Sequence, residues 1–282
     1  MKFDIPYSYS TTNIGDDVIV YSVYQQFEKM SLCKNIVDNP TSRESLYELK
    51  NTTKNIISGW LSFNIDNFLP ENITENTLLY GIHFWNEQRC VPLIKSILNN
   101  NLEVGCRDSF TYRICKRYGI RSYISYCPTL LLDKINTDDE ESDDYSVLVD
   151  IYDEDIISYV KEKTGFMLKW LTHRDYFKEN RNFQERMINV KNHLSLYCKS
   201  KLVISNKMHV LLPCMSMGVP CLFYKHDTGL DTTRLQDYYP FLNTFENIEE
   251  LKKFDLLNIK NKDFSQLIQN KSKLLEFITD TN

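Results

Sequence analysis

Short apolar runs alternate with helical hydrophobic patterns along most of the chain, and this alternation constrains the fold more than any other feature. The runs FDIPYSY, NIVD, NIIS, LLYGIHF, LEVG and YISYC are short enough for buried strands, and helical patterns lie near 86–100 and 108–118. Strands and helices that alternate in this way are typical of βαβ units in a mainly parallel sheet. The first half of the chain is therefore predicted to form one doubly wound α/β domain.

An acidic run from Asn136 to Asp144 interrupts the alternation. Like charges at this density repel one another and stay in solvent, so the run is predicted to be a linker. The alternation then restarts and continues to PCLFY, whereas the pattern from Phe241 onward is only helical. The chain is predicted to contain an α/β domain over 1–135, a second over 145–245, and C-terminal helices over 246–282 that can cross back to the first domain.

The predicted architecture is α/β, with two Rossmann-like doubly wound domains facing a cleft and a helical C-terminal segment. Such domains direct the carboxyl ends of their strands, and the loops that follow, towards the cleft. Ligand-binding residues are therefore expected directly after strands.

Composition excludes several classes of protein. The formal charge of −5 and the pI near 5.6 leave no basic stripe for nucleic acid. No apolar run approaches the length of a transmembrane helix, and Asp4 stands where a signal peptide would have its apolar core. The eight cysteines show neither C-x-x-C nor zinc-type spacing with histidine, so they are predicted to be reduced thiols in a cytoplasmic protein without a metal site.

The segment after the first strand contains Asn13, Gly15 and Asp16. Gly15 permits a tight turn, and acidic residues in a first helical turn are favoured by the helix dipole. Carboxylates at that position would repel phosphate, so the segment is not a phosphate loop. Asn13 and Asp16 are either ordinary helix-start residues or functional ones, as a contact to sugar hydroxyls or a brace for a cationic neighbour.

Three candidates follow the next two strands of this domain. Gly59 allows close backbone approach, and the indole of Trp60 is either a platform for a sugar ring or part of the core. His83 is the first polar residue after the strand LLYGI and is either a buried structural histidine or a site residue.

Arg107 follows the strand LEVG, ahead of Asp108 and Ser109, which are suited to begin a helix. Arginine recognises carboxylate and phosphate through two parallel hydrogen bonds. Arg107 is therefore a candidate anion contact, with an ion pair to Asp108 or across the domain interface as the structural alternative.

Lys207 and His209 lie directly after the buried strand KLVIS of the second domain. On a regular helix two residues at this spacing would point to nearly opposite sides. They can share a site only if the chain is still extended or turning there and the helix begins near His209. The sequence then predicts a helix N-terminus, an ammonium and an imidazole together, which is an anion pocket containing an acid. The alternative is a surface lysine and a core histidine.

Five segments in order and spacing resemble the polysaccharide pyruvyl transferases: NIGDD, ISGW, YGIHF, VGCRDSFT with CKRYGI and YCPTLLL, and SKLVISNKMHVLLPCMSMGVP. The resemblance implies two Rossmann-like domains arranged as in GT-B glycosyltransferases. It places a phosphoenolpyruvate pocket at Arg107 and at Lys207, Met208 and His209, and with them Arg234. Two positions depart from the family pattern: Lys207 replaces the usual arginine, and Val210 replaces a small residue. Lysine keeps the charge but lacks the planar fork of a guanidinium.

The resemblance also implies a reaction in which pyruvate from phosphoenolpyruvate is joined to sugar hydroxyls as a ketal and phosphate is released. In this hypothesis Lys207 and Arg107 hold the donor, His209 protonates its methylene carbon, and Asp16 or His83 accepts the hydroxyl protons. The donor is a substrate, and no cofactor or metal is implied. The alternatives are a GT-B-type glycosyltransferase using a nucleotide sugar and a non-catalytic carbohydrate-binding relative.

Overall fold

The structure, a computed structural model, describes residues 1–61, 66–73, 76–135, 144–177, 180–225 and 235–280. The predicted linker lies outside these ranges except for Asp144. Within them the chain forms two five-stranded sheets, each wholly parallel. The predicted α/β architecture with two doubly wound domains is confirmed.

The first sheet contains strands in the order in which they occur along the chain. They are β1 (Phe3–Asp4), β2 (Lys54–Trp60), β3 (Thr77–His83), β4 (Val104–Cys106) and β5 (Ser122–Ile124). The segment 36–42 runs beside the free edge of β1, where Val37 N–H donates to the Phe3 carbonyl at 2.9 Å and Tyr7 N–H to the Thr41 carbonyl at 3.2 Å. The segment 36–42 therefore lies on one side of β1 and β2 lies on the other. The direction in which the chain adds to the sheet reverses between β1 and β2.

Three α-helices of the first domain cover this sheet, namely α1 (Ile14–Lys29), α2 (Val91–Asn99) and α3 (Ser109–Arg117). Ile56 of β2 packs in the core cluster that contains α1, whereas the adjacent Ile57 packs in the cluster that contains α2 and α3. Neighbouring residues of a strand point to opposite faces, so α1 and the other two helices lie on opposite faces of the sheet. The predicted helix near 86–100 is shorter than expected, because residues Gln88–Cys90 form a 3₁₀ turn before α2 begins.

The second sheet contains β6 (Tyr145–Val149), β7 (Met167–Leu171), β8 (Leu202–Ser205), β9 (Cys221–Tyr224) and β10 (Thr244–Phe245). Its helices are α4 (Glu154–Thr164), α5 (Phe183–Lys199), α6 (Met208–Ser216) and the short α7 (Ile248–Leu251). The strand order is β10-β9-β8-β6-β7, so the winding reverses between β6 and β8. In open α/β sheets, ligands bind outside the carboxyl ends of the strands at such a reversal.

The prediction that the chain is only helical after Phe241 is wrong at Thr244 and Phe245. These two residues pair with β9 as the edge strand β10. A strand of two residues is too short to produce a period-two pattern, so hydrophobic periodicity cannot reveal it.

The last helix, α8 (Lys271–Thr279), packs on the first sheet. Lys273 pairs with Glu103 at 2.7 Å, and Asn270 Nδ2 donates to the Ile124 carbonyl at 2.7 Å. The C-terminal segment therefore returns from the second domain to the first.

One buried apolar cluster joins the two domains. It contains residues of α1, α5 and α6 together with strand residues of both sheets, among them Ile56 and Val203. Because α1 and α6 pack in the same core, their first turns are held in a defined relation at the carboxyl ends of β1 and β8.

Candidate active site

The start of α6 has the geometry that the sequence predicts for Lys207 and His209. Lys207 is extended, with φ −108° and ψ 123°, and occupies the N-cap position, while the helix begins at Met208. Met208 is buried, and His209 lies in the first turn with partial exposure. The prediction that the helix begins near His209 is confirmed to within one residue.

Asp150 lies beside Lys207 and was not singled out from the sequence. The Lys207 ammonium is 3.9 Å from Asp150 Oδ2. Asp150 directly follows β6 and has a φ of +53°, a left-handed conformation that is uncommon for residues other than glycine. The available signal was a single acidic residue directly after the apolar residues 147–149.

His209 contacts the start of α1 in the first domain. A Cβ atom at Gly15 would lie 2.7 Å from His209 Nδ1 and 3.0 Å from His209 Cβ, so only glycine leaves room for the imidazole. Asn13 caps α1 by accepting a hydrogen bond from Gly15 N–H at 3.0 Å. The structure thus brings Asn13, Gly15 and His209 together across the two domains.

This contact makes the substitution Gly15→Ala informative. Replacing glycine by alanine inside a helix normally stabilises it by about 0.5–1 kcal/mol. Here the added methyl group overlaps His209, and overpacking of this kind costs about 1–3 kcal/mol. We expect Gly15→Ala to lower the free energy of unfolding in urea, and the double variant with His209→Ala to recover most of the loss. A more stable Gly15→Ala protein would contradict the contact.

A second connection between the domains lies next to Asn13. The Ile14 N–H donates to the His173 carbonyl at 3.1 Å, and the Asp175 N–H donates to the Thr12 carbonyl at 2.8 Å. His173 is buried and follows β7, so it too satisfies the rule that site residues come after strands. The sequence reasoning missed it, although the polar pair Thr172-His173 after an apolar run was the available signal.

Asp16 is buried against Arg43. The Arg43 Nη2 donates to Asp16 Oδ1 at 2.8 Å, and its Nη1 donates to the Ser58 carbonyl at 3.2 Å. Gly59 has a φ of +99°, and a Cβ atom there would overlap the Arg43 guanidinium. Asp16 and Gly59 therefore both contact the buried guanidinium of Arg43, beside the start of α1.

Arg107 belongs to a further group of contacts at the carboxyl ends of β3 and β4. His83 Nδ1 lies 2.6 Å from Asp108 Oδ2, and Arg107 Nε is 3.7 Å from the same oxygen. Burial disfavours the charged carboxylate of Asp108, but the hydrogen bond from His83 and the positive charges of His83 and Arg107 outweigh burial and hold the pKa of Asp108 below its ordinary value. Because an ionised carboxylate only accepts hydrogen bonds, His83 Nδ1 carries the proton between them.

The guanidinium of Arg107 is buried without being fully hydrogen-bonded. Only 1% of the residue is exposed, and its Nε and Nη2 make no hydrogen bond to any residue in the described ranges. Buried charged donors are normally satisfied, so these nitrogen atoms are candidates to bind an acceptor other than the described residues.

The second domain reaches the same group through residues 237–238. Tyr238 Oη donates to the Arg107 carbonyl at 2.8 Å, and Ser109 Oγ donates to Asp237 Oδ1 at 2.9 Å. The predicted site residue Arg234 lies outside the described residues, three positions before Asp237.

Trp60 is half-buried at the end of β2 and packs edge-to-face on Trp85, with ring centroids 5.5 Å apart. Trp85 is 42% exposed and, with Tyr118, lines a cavity of about 580 Å³. At this edge of the sheet, Trp85 therefore exposes more aromatic surface than Trp60, the residue that the sequence predicted as a sugar platform.

In the described ranges no three His, Cys, Asp or Glu side chains are grouped as metal ligands, and no helix there is long and apolar enough to span a membrane. All eight cysteines are free thiols.

The fold and these contacts define a two-domain α/β protein with cationic side chains at the carboxyl ends of both sheets. The chain belongs to the polysaccharide pyruvyl transferase family, whose model matches residues 13–228. No curated protein matches it.

Two solved structures are similar in fold. One is a functionally uncharacterised Klebsiella pneumoniae protein, KP1_0663, with 15% identity and a TM-score of 0.51 over 87% of this chain and 94% of that one. The other is a putative UDP-N-acetylglucosamine 2-epimerase from Listeria monocytogenes, with 12% identity and a TM-score of 0.49 over 91% of this chain and 87% of that one. The first likeness extends over nearly the whole of both chains and supports the two-domain fold.

Proposed function

We propose that this family member transfers pyruvate from phosphoenolpyruvate to two hydroxyls of a sugar or glycan, forming a cyclic ketal and releasing phosphate. The observation that carries the proposal is the start of α6, where an extended Lys207 and a helical His209 meet the first turn of α1. The arrangement supplies a cation, an imidazole and helix N-terminal N–H groups at one place.

The donor carries a phosphate and a carboxylate, and each domain contributes one candidate cation. Lys207, one third exposed in its side chain, is accessible to an anion from solvent. Arg107 supplies buried nitrogen atoms that no described residue satisfies. In the proposed complex these residues hold the two anionic groups. Their positive charge is confined to the pocket, since the net charge of the whole chain is negative.

His209 is the proposed acid. Transfer of its proton to the methylene carbon of the donor converts that carbon to a methyl group and leaves C2 electrophilic. One acceptor hydroxyl then attacks C2 and loses its proton, the bond from C2 to the phosphate oxygen breaks, and the second hydroxyl closes the ketal. Holding donor and acceptor side by side in the reactive geometry lowers the entropic cost of bringing them together.

The base for the acceptor hydroxyls has two candidates from the sequence. Asp16 is engaged by Arg43, whereas His83 is oriented by Asp108 in the manner of an acid–base pair. Asn13 and the Trp60–Trp85 pair remain candidate contacts to the acceptor sugar.

A thermal shift experiment separates this proposal from a glycosyltransferase. A ligand that binds only the folded state raises the melting temperature. We expect phosphoenolpyruvate, and not UDP- or GDP-sugars, to raise it. Lys207→Ala should remove most of this shift, whereas Lys201→Ala, a lysine exposed at the start of β8, should retain it. Stabilisation by nucleotide sugars alone would favour a glycosyltransferase, and a response to neither donor would favour a non-catalytic relative.

The eight free thiols suit a reducing compartment. We therefore place the reaction in the cytoplasm.

A further inference from the structure

Asp150 occupies a distinctive position in the second domain. It follows β6 at the point where the winding of the sheet reverses, and its φ of +53° is a sparsely populated conformation for a residue with a side chain. Such conformations persist where the surrounding contacts fix them, and they cluster at functional sites.

The carboxylate of Asp150 is fixed by donors from two segments. Oδ1 accepts from Thr172 Oγ1 at 2.9 Å and from Tyr152 Oη at 3.4 Å, and Oδ2 accepts from His173 N–H at 3.2 Å. Asp150 is only 5% exposed. Because the His173 carbonyl also accepts from Ile14 N–H, the carboxylate is tied to the segment that joins the second domain to the first.

Among the described residues, Lys207 forms an ion pair with this carboxylate. Its ammonium is 3.9 Å from Oδ2, which is within ion-pair range but longer than a hydrogen bond. A lysine has four rotatable carbon–carbon bonds, so an isolated ammonium samples many positions. We propose that Asp150 is a positioning residue that restrains the Lys207 ammonium beside the start of α6, where it contacts the donor anion; the functional part of this role rests on the proposed function.

Asp150→Asn tests the role with little change in shape. Asparagine tolerates the left-handed backbone and keeps a side-chain oxygen acceptor, but it removes the charge that restrains Lys207. Misplacement of a contact by about 1 Å can cost on the order of 10²-fold in rate. We expect kcat to fall roughly tenfold to a hundredfold, and the affinity for phosphoenolpyruvate to change less than about threefold, because loss of restraint and loss of a repelling carboxylate act in opposite directions on binding.

A second readout does not depend on turnover. A neighbouring carboxylate favours the charged form of an amine, which does not react with acylating reagents. In Asp150→Asn, labelling of Lys207 by acetic anhydride, followed by mass spectrometry, should therefore accelerate about threefold or more relative to Lys201 in the same sample. Asp153→Asn is the matched control, because Asp153 caps α4 three positions later in the same loop and asparagine caps equally well.

The outcomes separate this proposal from the proposed function. A wild-type protein that is inactive with phosphoenolpyruvate, with Lys207 labelling accelerated in Asp150→Asn, would overturn the function and support the restraint of Lys207. Unchanged labelling would overturn the restraint. A fall in kcat that is equally large in a Lys207→Ala background would show that Asp150 acts independently of Lys207 and would also overturn it.

Discussion

His209→Ala is expected to abolish ketal formation. The proposed reaction begins with proton transfer to a carbon atom, which is the step most dependent on a positioned acid. General acid catalysis contributes about 10²–10⁴-fold to a rate, so the variant should lose at least that much in kcat. Binding of phosphoenolpyruvate should persist, because Lys207 and Arg107 remain. The measurement is phosphate release together with donor-induced stabilisation in the same preparation.

The control for this variant is His193→Ala, which makes the same change on α5 in a histidine whose Nδ1 lies 2.9 Å from the Asn189 carbonyl of its own helix. It should retain wild-type turnover. A His209→Ala protein with wild-type kcat would remove His209 from the mechanism.

Asp16→Ala is expected to lower the free energy of unfolding by about 3–5 kcal/mol, because it leaves a buried guanidinium without its carboxylate partner. The side chain of Arg43 is not exposed at all, and that of Asp16 is 6% exposed. Water therefore cannot solvate the guanidinium that loses its partner. Chemical denaturation followed by circular dichroism gives the value directly.

Asp155→Ala is the matched control, since Asp155 is also acidic and in a first helical turn but is exposed. Its loss should cost about 0.3–1 kcal/mol through the helix dipole. If Asp16→Ala were as mild as the control and yet inactive, Asp16 would be a catalytic base instead of a structural partner of Arg43.

The parallel-sheet fold was predictable because each βα unit produces a recognisable hydrophobic pattern in consecutive residues. The break at Lys207 was predictable for the same reason, since a polar segment between a buried strand and an apolar helix has few possible conformations. Arg107, which directly follows β4, and His83, the last residue of β3, were predictable as candidates from the rule that the carboxyl ends of parallel strands share one edge.

The ionic clusters were not predictable, because their partners are distant in the chain. Asp16 and Arg43 are 27 positions apart, and Asp17 and the buried Arg186 are 169 positions apart. No local pattern connects such pairs. Asp150 was missed for a different reason: its left-handed backbone ends β6, but an aspartate at the end of an apolar run looks like the last residue of a strand.

Formation of a pyruvate ketal from phosphoenolpyruvate can be followed in one incubation. The wild-type protein is mixed with phosphoenolpyruvate labelled with ¹³C at C2 and a panel of galactosides and mannosides, and phosphate is followed by colorimetry and C2 by NMR. We expect one phosphate per ketal carbon with at least one acceptor, and neither product with His209→Ala. If no acceptor yields a ketal and the protein consumes a nucleotide sugar with the same panel, the chain is not a ketal-forming pyruvyl transferase.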